Sequence, residues 1–166
     1  MNNLTRSYNY AYEQLNFADF TVLLNLTPQT VLHKLKKVDN VKNVEGRIVI
    51  NIGIYINENR QISRLAIGIS STRRSTVNNI QIESGRYFFS NESNVCLLEH
   101  RFAAAYGYEE GDNVTLIVRG VKANFTVIGV VASPEYLIVM SGPWEYSSGY
   151  TYGIVFLPLV KLQKNA

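Results

Sequence analysis

Between Arg47 and Asn57, five isoleucines (Ile48, Ile50, Ile52, Ile54 and Ile56) alternate with Val49, Asn51, Gly53 and Tyr55. Successive side chains of a strand point to opposite faces, so this period of two places all five on one face. Their branched Cβ atoms suit a pleated surface. A slip of one residue would turn the whole set outward, so the register is strongly fixed wherever that face is buried. Glu58-Asn59-Arg60 then turns the chain into a second strand, with Leu65, Ile67 and Ile69 opposite Ala66 and Gly68. A buried sheet face is the first commitment of this chain.

The neighbouring segments extend that reading. Residues 1–16 are polar and tyrosine-rich, a lead-in to the fold. Phe17 to Leu26, dense in Phe, Val and Leu, is expected to be a strand. Thr27-Pro28 reads as a helix start, with a hydroxyl at the N-cap and proline at the first helical position. Val31, Leu35 and Val38, with Leu32 alongside, would form its apolar stripe, and His33, Lys34, Lys36 and Lys37 its polar face. Further strands are expected at Ile80–Ile82, Asn94–Leu98, Asn113–Arg119, Ala123–Ala132, Tyr136–Met140 and Tyr152–Leu157. Between them, Glu99 to Tyr106 has a helical pattern. Gly107 is placed to stop that helix in the left-handed conformation, with Tyr108 folding back onto it. Ser141 to Tyr150 reads as a Gly/Ser/aromatic loop.

The chain has 166 residues, of which 46% are hydrophobic and 17% charged, a composition that excludes a disordered segment. No apolar run approaches the roughly 18–20 residues that span a bilayer. The single cysteine, Cys96, excludes an internal disulfide framework and a cysteine-built metal site. His33 and His100 are far apart in sequence and lack a second ligand pair, so neither a metal nor another cofactor is expected. Cys96 and His100 stand four apart, but a strand cysteine is typically buried and inert, and no catalytic role is expected for the pair. No phosphate-cradling glycine loop or nucleophile elbow is present. A net charge of +3 is small for a nucleic-acid binder. Arg73, Arg74, Arg86 and Arg101 are spread along the chain rather than bunched. Asn91, followed by Glu92-Ser93 in a polar loop, is the one glycosylation-type tripeptide in a favourable setting.

Pro143, Trp144, Tyr146, Tyr150 and Tyr152 crowd one segment interrupted by glycine and serine. Tyr and Trp give large contact area at low entropic cost, which makes Trp144, Tyr146, Tyr150 and Tyr152 the candidate partner surface. A core plug formed by Trp144 is the alternative reading of the same residues.

Three stretches in order carry a resemblance. Phe17-Ala18-Asp19-Phe20 leads through the Thr-Pro helix to Val41-Lys42-Asn43-Val44-Glu45-Gly46-Arg47. Arg101 to Asp112 (RFAAAYGYEEGD) follows, and Phe125 to Tyr136 (FTVIGVVASPEY) closes the set. In this order they resemble the extracytoplasmic domain between the first two membrane helices of MacB/FtsX-like ABC-transporter permeases. Within it Gly107, Gly111, Asp112, Pro134 and Tyr136 read as architectural positions: glycines for the turn, an aspartate to cap it, a proline to set direction.

The resemblance implies an α+β fold, a strand–helix–strand α/β lobe with an inserted small β-rich lobe carrying one short helix. The expected division is 17–59 and 133–166 for the α/β lobe, left incomplete, and 60–132 for the insert. Members of the family continue into a second strand–helix–strand unit and a membrane helix, so an excised piece of a permease is expected, with a shortened relative working without its membrane part as the alternative. The implied function is non-catalytic engagement of a substrate or partner outside the membrane, with relay of ATPase-driven movement. Its partners would be flanking membrane helices, a cytoplasmic ABC ATPase and a second permease subunit. The alternative is a β-rich binding module for single-stranded nucleic acid or an acidic polymer, using the four arginines.

Overall fold

Helix α1 (Thr30–Leu35) precedes the isoleucine strand β1 (Ile48–Asn57), which turns back into β2 (Arg60–Ile69). Then come β3 (Gln81–Gly85), β4 (Val95–Glu99), helix α2 (His100–Tyr106), β5 (Asn113–Val118) and β6 (Val121–Ala132). A single 3-10 turn, Pro134–Tyr136, leads to the short strands β7 (Met140–Gly142) and β8 (Glu145–Tyr146). Strand β9 (Ile154–Pro158) and helix α3 (Leu159–Leu162) complete the order. This computed structural model describes residues 9, 12–25, 27–136, 140–142, 145–146 and 153–163.

Seven strands share one sheet in the order β3-β6-β4-β9-β2-β1-β5, and β5 also pairs with β6. That last pairing closes β6, β4, β9, β2, β1 and β5 into a ring, with β3 attached outside it along β6. Closure satisfies backbone groups that an open edge would leave exposed. β2 with β9 and β4 with β6 run parallel, while the other ring contacts are antiparallel. Strands from both stretches of the expected division are hydrogen-bonded neighbours. The boundary at residue 59 falls within the β1–β2 turn, and β9 lies between β4 and β2. A mixed sheet with short helices is the α+β class that the sequence implies.

Alternation sorts the apolar residues onto two sides. Ile52, Ile54, Ala66, Cys96, Leu98, Val114, Leu116, Phe125, Val127, Val155 and Leu157 form one cluster, joined by Phe102 and Ala103 from α2 and Leu162 from α3. Their sequence neighbours Ile67, Ile69, Leu97, Ile128, Ile154 and Phe156 pack on the opposite side with Ile80 and Phe88. The β1 isoleucines share one face as expected, with Ile52 and Ile54 buried and Ile48, Ile50 and Ile56 half-buried against them. Both faces of β9 are buried, which is why it reads as a continuous apolar run.

Four expectations need correction. Phe17 to Leu26 is not a strand over its described residues, and Phe20, Val22, Leu23 and Leu24 are exposed; no neighbouring backbone pairs with them. Helix α1 begins at Thr30 with Gln29 at the cap position and no side-chain cap, while Thr27 Oγ1 donates to the Asn25 carbonyl instead. Leu35 and Val38 of its apolar stripe are exposed, and it is Leu32 that lies against Gly46. Tyr136 ends a 3-10 turn rather than starting a strand, and the loop expected over Ser141–Tyr150 contains the β7–β8 hairpin.

Candidate functional site

The aromatic segment is placed only in part. Tyr146 belongs to β8, where it pairs with Met140. Pro143, Trp144, Tyr150 and Tyr152 lie outside the described residues.

The helix-to-turn stretch is built as its residue types dictate. Glu99 ends β4 and caps α2, its Oε2 accepting from the amides of Arg101 and Phe102. Gly107 closes the helix with φ +70°, a left-handed conformation glycine adopts without a Cβ clash. The Tyr108 amide then donates to the Ala103 carbonyl at 2.9 Å, and its ring stands 6.0 Å from that of Phe102. Gly111, at φ +97°, donates to the Val127 carbonyl, and Asp112 Oδ2 accepts the Glu109 amide at 2.8 Å. Pro134 is buried at the start of the 3-10 turn, and Tyr136 is half-buried against the cluster of Ile67, Ile69 and Phe156.

Cys96 is fully buried in β4, and burial pushes its thiol pKa far up, away from a nucleophilic thiolate. His100 Nδ1 faces Glu99 Oε1 at 3.3 Å and Glu83 Oε1 at 3.8 Å rather than the cysteine. The four arginines of the binding-module alternative are each engaged within the fold. Arg73 binds Glu45 through both terminal nitrogens, and Arg74 stacks on Tyr87 at 4.4 Å. Arg86 pairs with Glu92 at 2.6 Å, and Arg101 Nε lies 3.9 Å from Glu99. The Arg86 guanidinium, by hydrogen bonding, holds the Glu92 carboxyl below its ordinary value. Arg73 and Arg86 thus direct their charge to carboxylates of the fold.

Sequence reasoning missed two features. An open groove of about 320 Å³ runs between the end of β1 and β5, lined by Tyr55, Asn57, Glu58, Tyr108, Thr115 and Lys122. Within it the Lys122 ammonium sits 4.1 Å over the Tyr55 ring. The second feature is Arg47, whose side chain is 12% exposed and pairs with Glu135. Its other terminal nitrogen donates to the carbonyls of Val77, at 2.9 Å, and Asn78. No local spacing links residues so far apart; the sequence signals were an arginine opening an apolar strand and the place of both residues in stretches that carry the resemblance.

Among known families, the MacB-like periplasmic core domain matches residues 4–166, nearly the whole chain. This chain belongs to that family. It is an extracytoplasmic domain of an ABC-transporter permease, and among the described residues no helix is long and apolar enough to cross a membrane. The extracellular domain of the noncanonic ABC-type transporter YknZ from Gram-positive bacteria has a similar fold, with a TM-score of 0.52 at 18% identity. That match covers 82% of this chain and 65% of the YknZ domain, so the chain spans less than two thirds of its relative. The periplasmic region of MacB from Actinobacillus actinomycetemcomitans aligns at TM-score 0.49 and 15% identity, covering 82% of this chain and 56% of that one. Comparison with curated proteins gives no significant match.

Proposed function

We propose that this MacB-like domain engages a substrate or partner outside the membrane and performs no chemistry of its own. In the full-length permease it relays movement driven by a cytoplasmic ATPase through the connecting membrane helices. A second permease subunit would complete the assembly. The observation that carries this reading is the family match over residues 4–166. The burial of Cys96 and the pairing of the arginines with carboxylates and an aromatic ring are consistent with it.

The partner-contacting residues we propose are Trp144, Tyr146, Tyr150 and Tyr152, on the strength of their aromatic density in a Gly/Ser-rich segment. The test is Trp144→Ala in the full-length permease with its ATPase. Transport or partner binding should fall while the melting temperature of the domain stays nearly unchanged. A large loss of melting temperature with unchanged partner binding would make Trp144 a core residue and remove this surface.

A further inference from the structure

The N-terminal segment 15–18 meets the fold at one loop. The Asn78 amide donates to the Asn16 carbonyl and the Asn79 amide to the Leu15 carbonyl, each at 2.8 Å. In return Asn78 Oδ1 accepts the Ala18 amide at 2.7 Å. Asn78 is buried and held at φ +49°, a conformation asparagine tolerates better than most residues.

That loop is gripped from the approach to β1. Glu45, its side chain 6% exposed, accepts both Arg73 terminal nitrogens at 3.1 Å, the Thr76 amide at 3.1 Å and the Thr76 hydroxyl at 3.0 Å. Two residues later, Arg47 donates to the Val77 and Asn78 carbonyls through one nitrogen and to Glu135 through the other. The planar guanidinium fixes the angle between its two partners, and at this degree of burial the charge-assisted bonds are strengthened. Lysine carries the same charge without the fork.

We propose that Arg47 is a positioning residue that clamps segment 15–18, loop 73–79 and the turn Pro134–Tyr136 into one mechanical unit. Among the described residues no hydrogen bond or ion pair joins Glu135 to residues 15–18, yet Glu135 fixes the guanidinium whose far side holds Asn78, and Asn78 holds Ala18. The clamp supplies a physical route for the relay described above and rests on that reading for its use in transport.

Amide hydrogen exchange on the 166-residue protein tests it, comparing the wild type with Glu135→Gln and Arg47→Lys. In both variants exchange at Ala18, Asn78 and Asn79 should rise about tenfold while Leu98 and Phe156 keep their protection. A rise confined to Tyr136 and its neighbours, or one spread equally over Leu98 and Phe156, would overturn the clamp. Coupled exchange in a Glu135→Gln variant whose full-length form transports normally would leave the clamp standing and count against the relay.

Discussion

Glu99 and Phe102 are joined by a hydrogen bond from the Phe102 amide to Glu99 Oε2, at 3.2 Å, so the last residue of β4 is also the cap of α2. Phe102 itself is fully buried in the cluster with Ile52, Ile54 and Leu98, and the cap therefore sets where that ring enters the core. Glu99→Ala should lower stability by about 1–2 kcal/mol, the usual cost of a lost cap, read from denaturant unfolding. An unchanged midpoint would show that packing alone places the helix.

Two glycines near that helix should respond for different reasons. Gly107 has φ +70° and no atom within 4 Å of a built Cβ, so Gly107→Ala strains only the backbone, by about 1 kcal/mol. At Gly153 a Cβ would lie 2.5 Å from Cδ2 of the buried Phe102 ring. Gly153→Ala should cost about 1–3 kcal/mol through overpacking. Chemical denaturation of the two variants separates them, with Gly153→Ala the less stable.

Elements with an internal signal were readable from the sequence. The β1 isoleucines, the Asn57–Arg60 turn and the Gly107 cap each depend on residues next to one another in the chain. Arg119, expected to end a strand, instead shares the β5–β6 turn with Gly120: both have positive φ, the type I′ hairpin geometry. What could not be read was set by tertiary partners. Phe17–Leu26 has strand composition, but among the described residues no strand pairs with it. The β1–β5 contact in the ring, and the Arg47–Glu135 pair, join segments whose separation no local pattern encodes. Of the candidate site, the helix-to-turn residues take the conformations their types favour, while the aromatic segment is placed only at Tyr146.

Burial along β1 is graded, and the cost of truncation should follow it. Ile54 is fully buried and Ile50 half-buried on the same face. Ile54→Ala should cost about 3–4 kcal/mol and Ile50→Ala less than half of that. Ile52→Asp should cost several kcal/mol (roughly the penalty of an unpaired charge after partial relaxation). Equal costs at Ile50 and Ile54 in thermal unfolding would contradict the packing.

Tyr87 gives a pH dependence of known sign. Its hydroxyl donates to the Ser70 carbonyl at 2.7 Å, and burial pushes its pKa from 10.0 up to about 12, against the opposing pull of Arg74. A raised folded value means that the stability it supplies is fully present below the unfolded value of 10.0 and is lost as pH rises toward about 12. Tyr87→Phe should abolish that part of the alkaline loss. Unfolding midpoints for both proteins across this window check it, and parallel losses would show that Tyr87 is not responsible.

The side of the membrane on which this domain sits can be read from one cysteine. Cys96 is fully buried and its thiol is pushed up by burial, so it gives almost no background to a thiol reagent. Val121, at the exposed β5–β6 hairpin, is 67% accessible and suits Val121→Cys in the full-length permease. Rapid labelling of intact cells by a membrane-impermeant maleimide is the result expected of an extracytoplasmic permease domain. Labelling that appears only after the membrane is opened would contradict it.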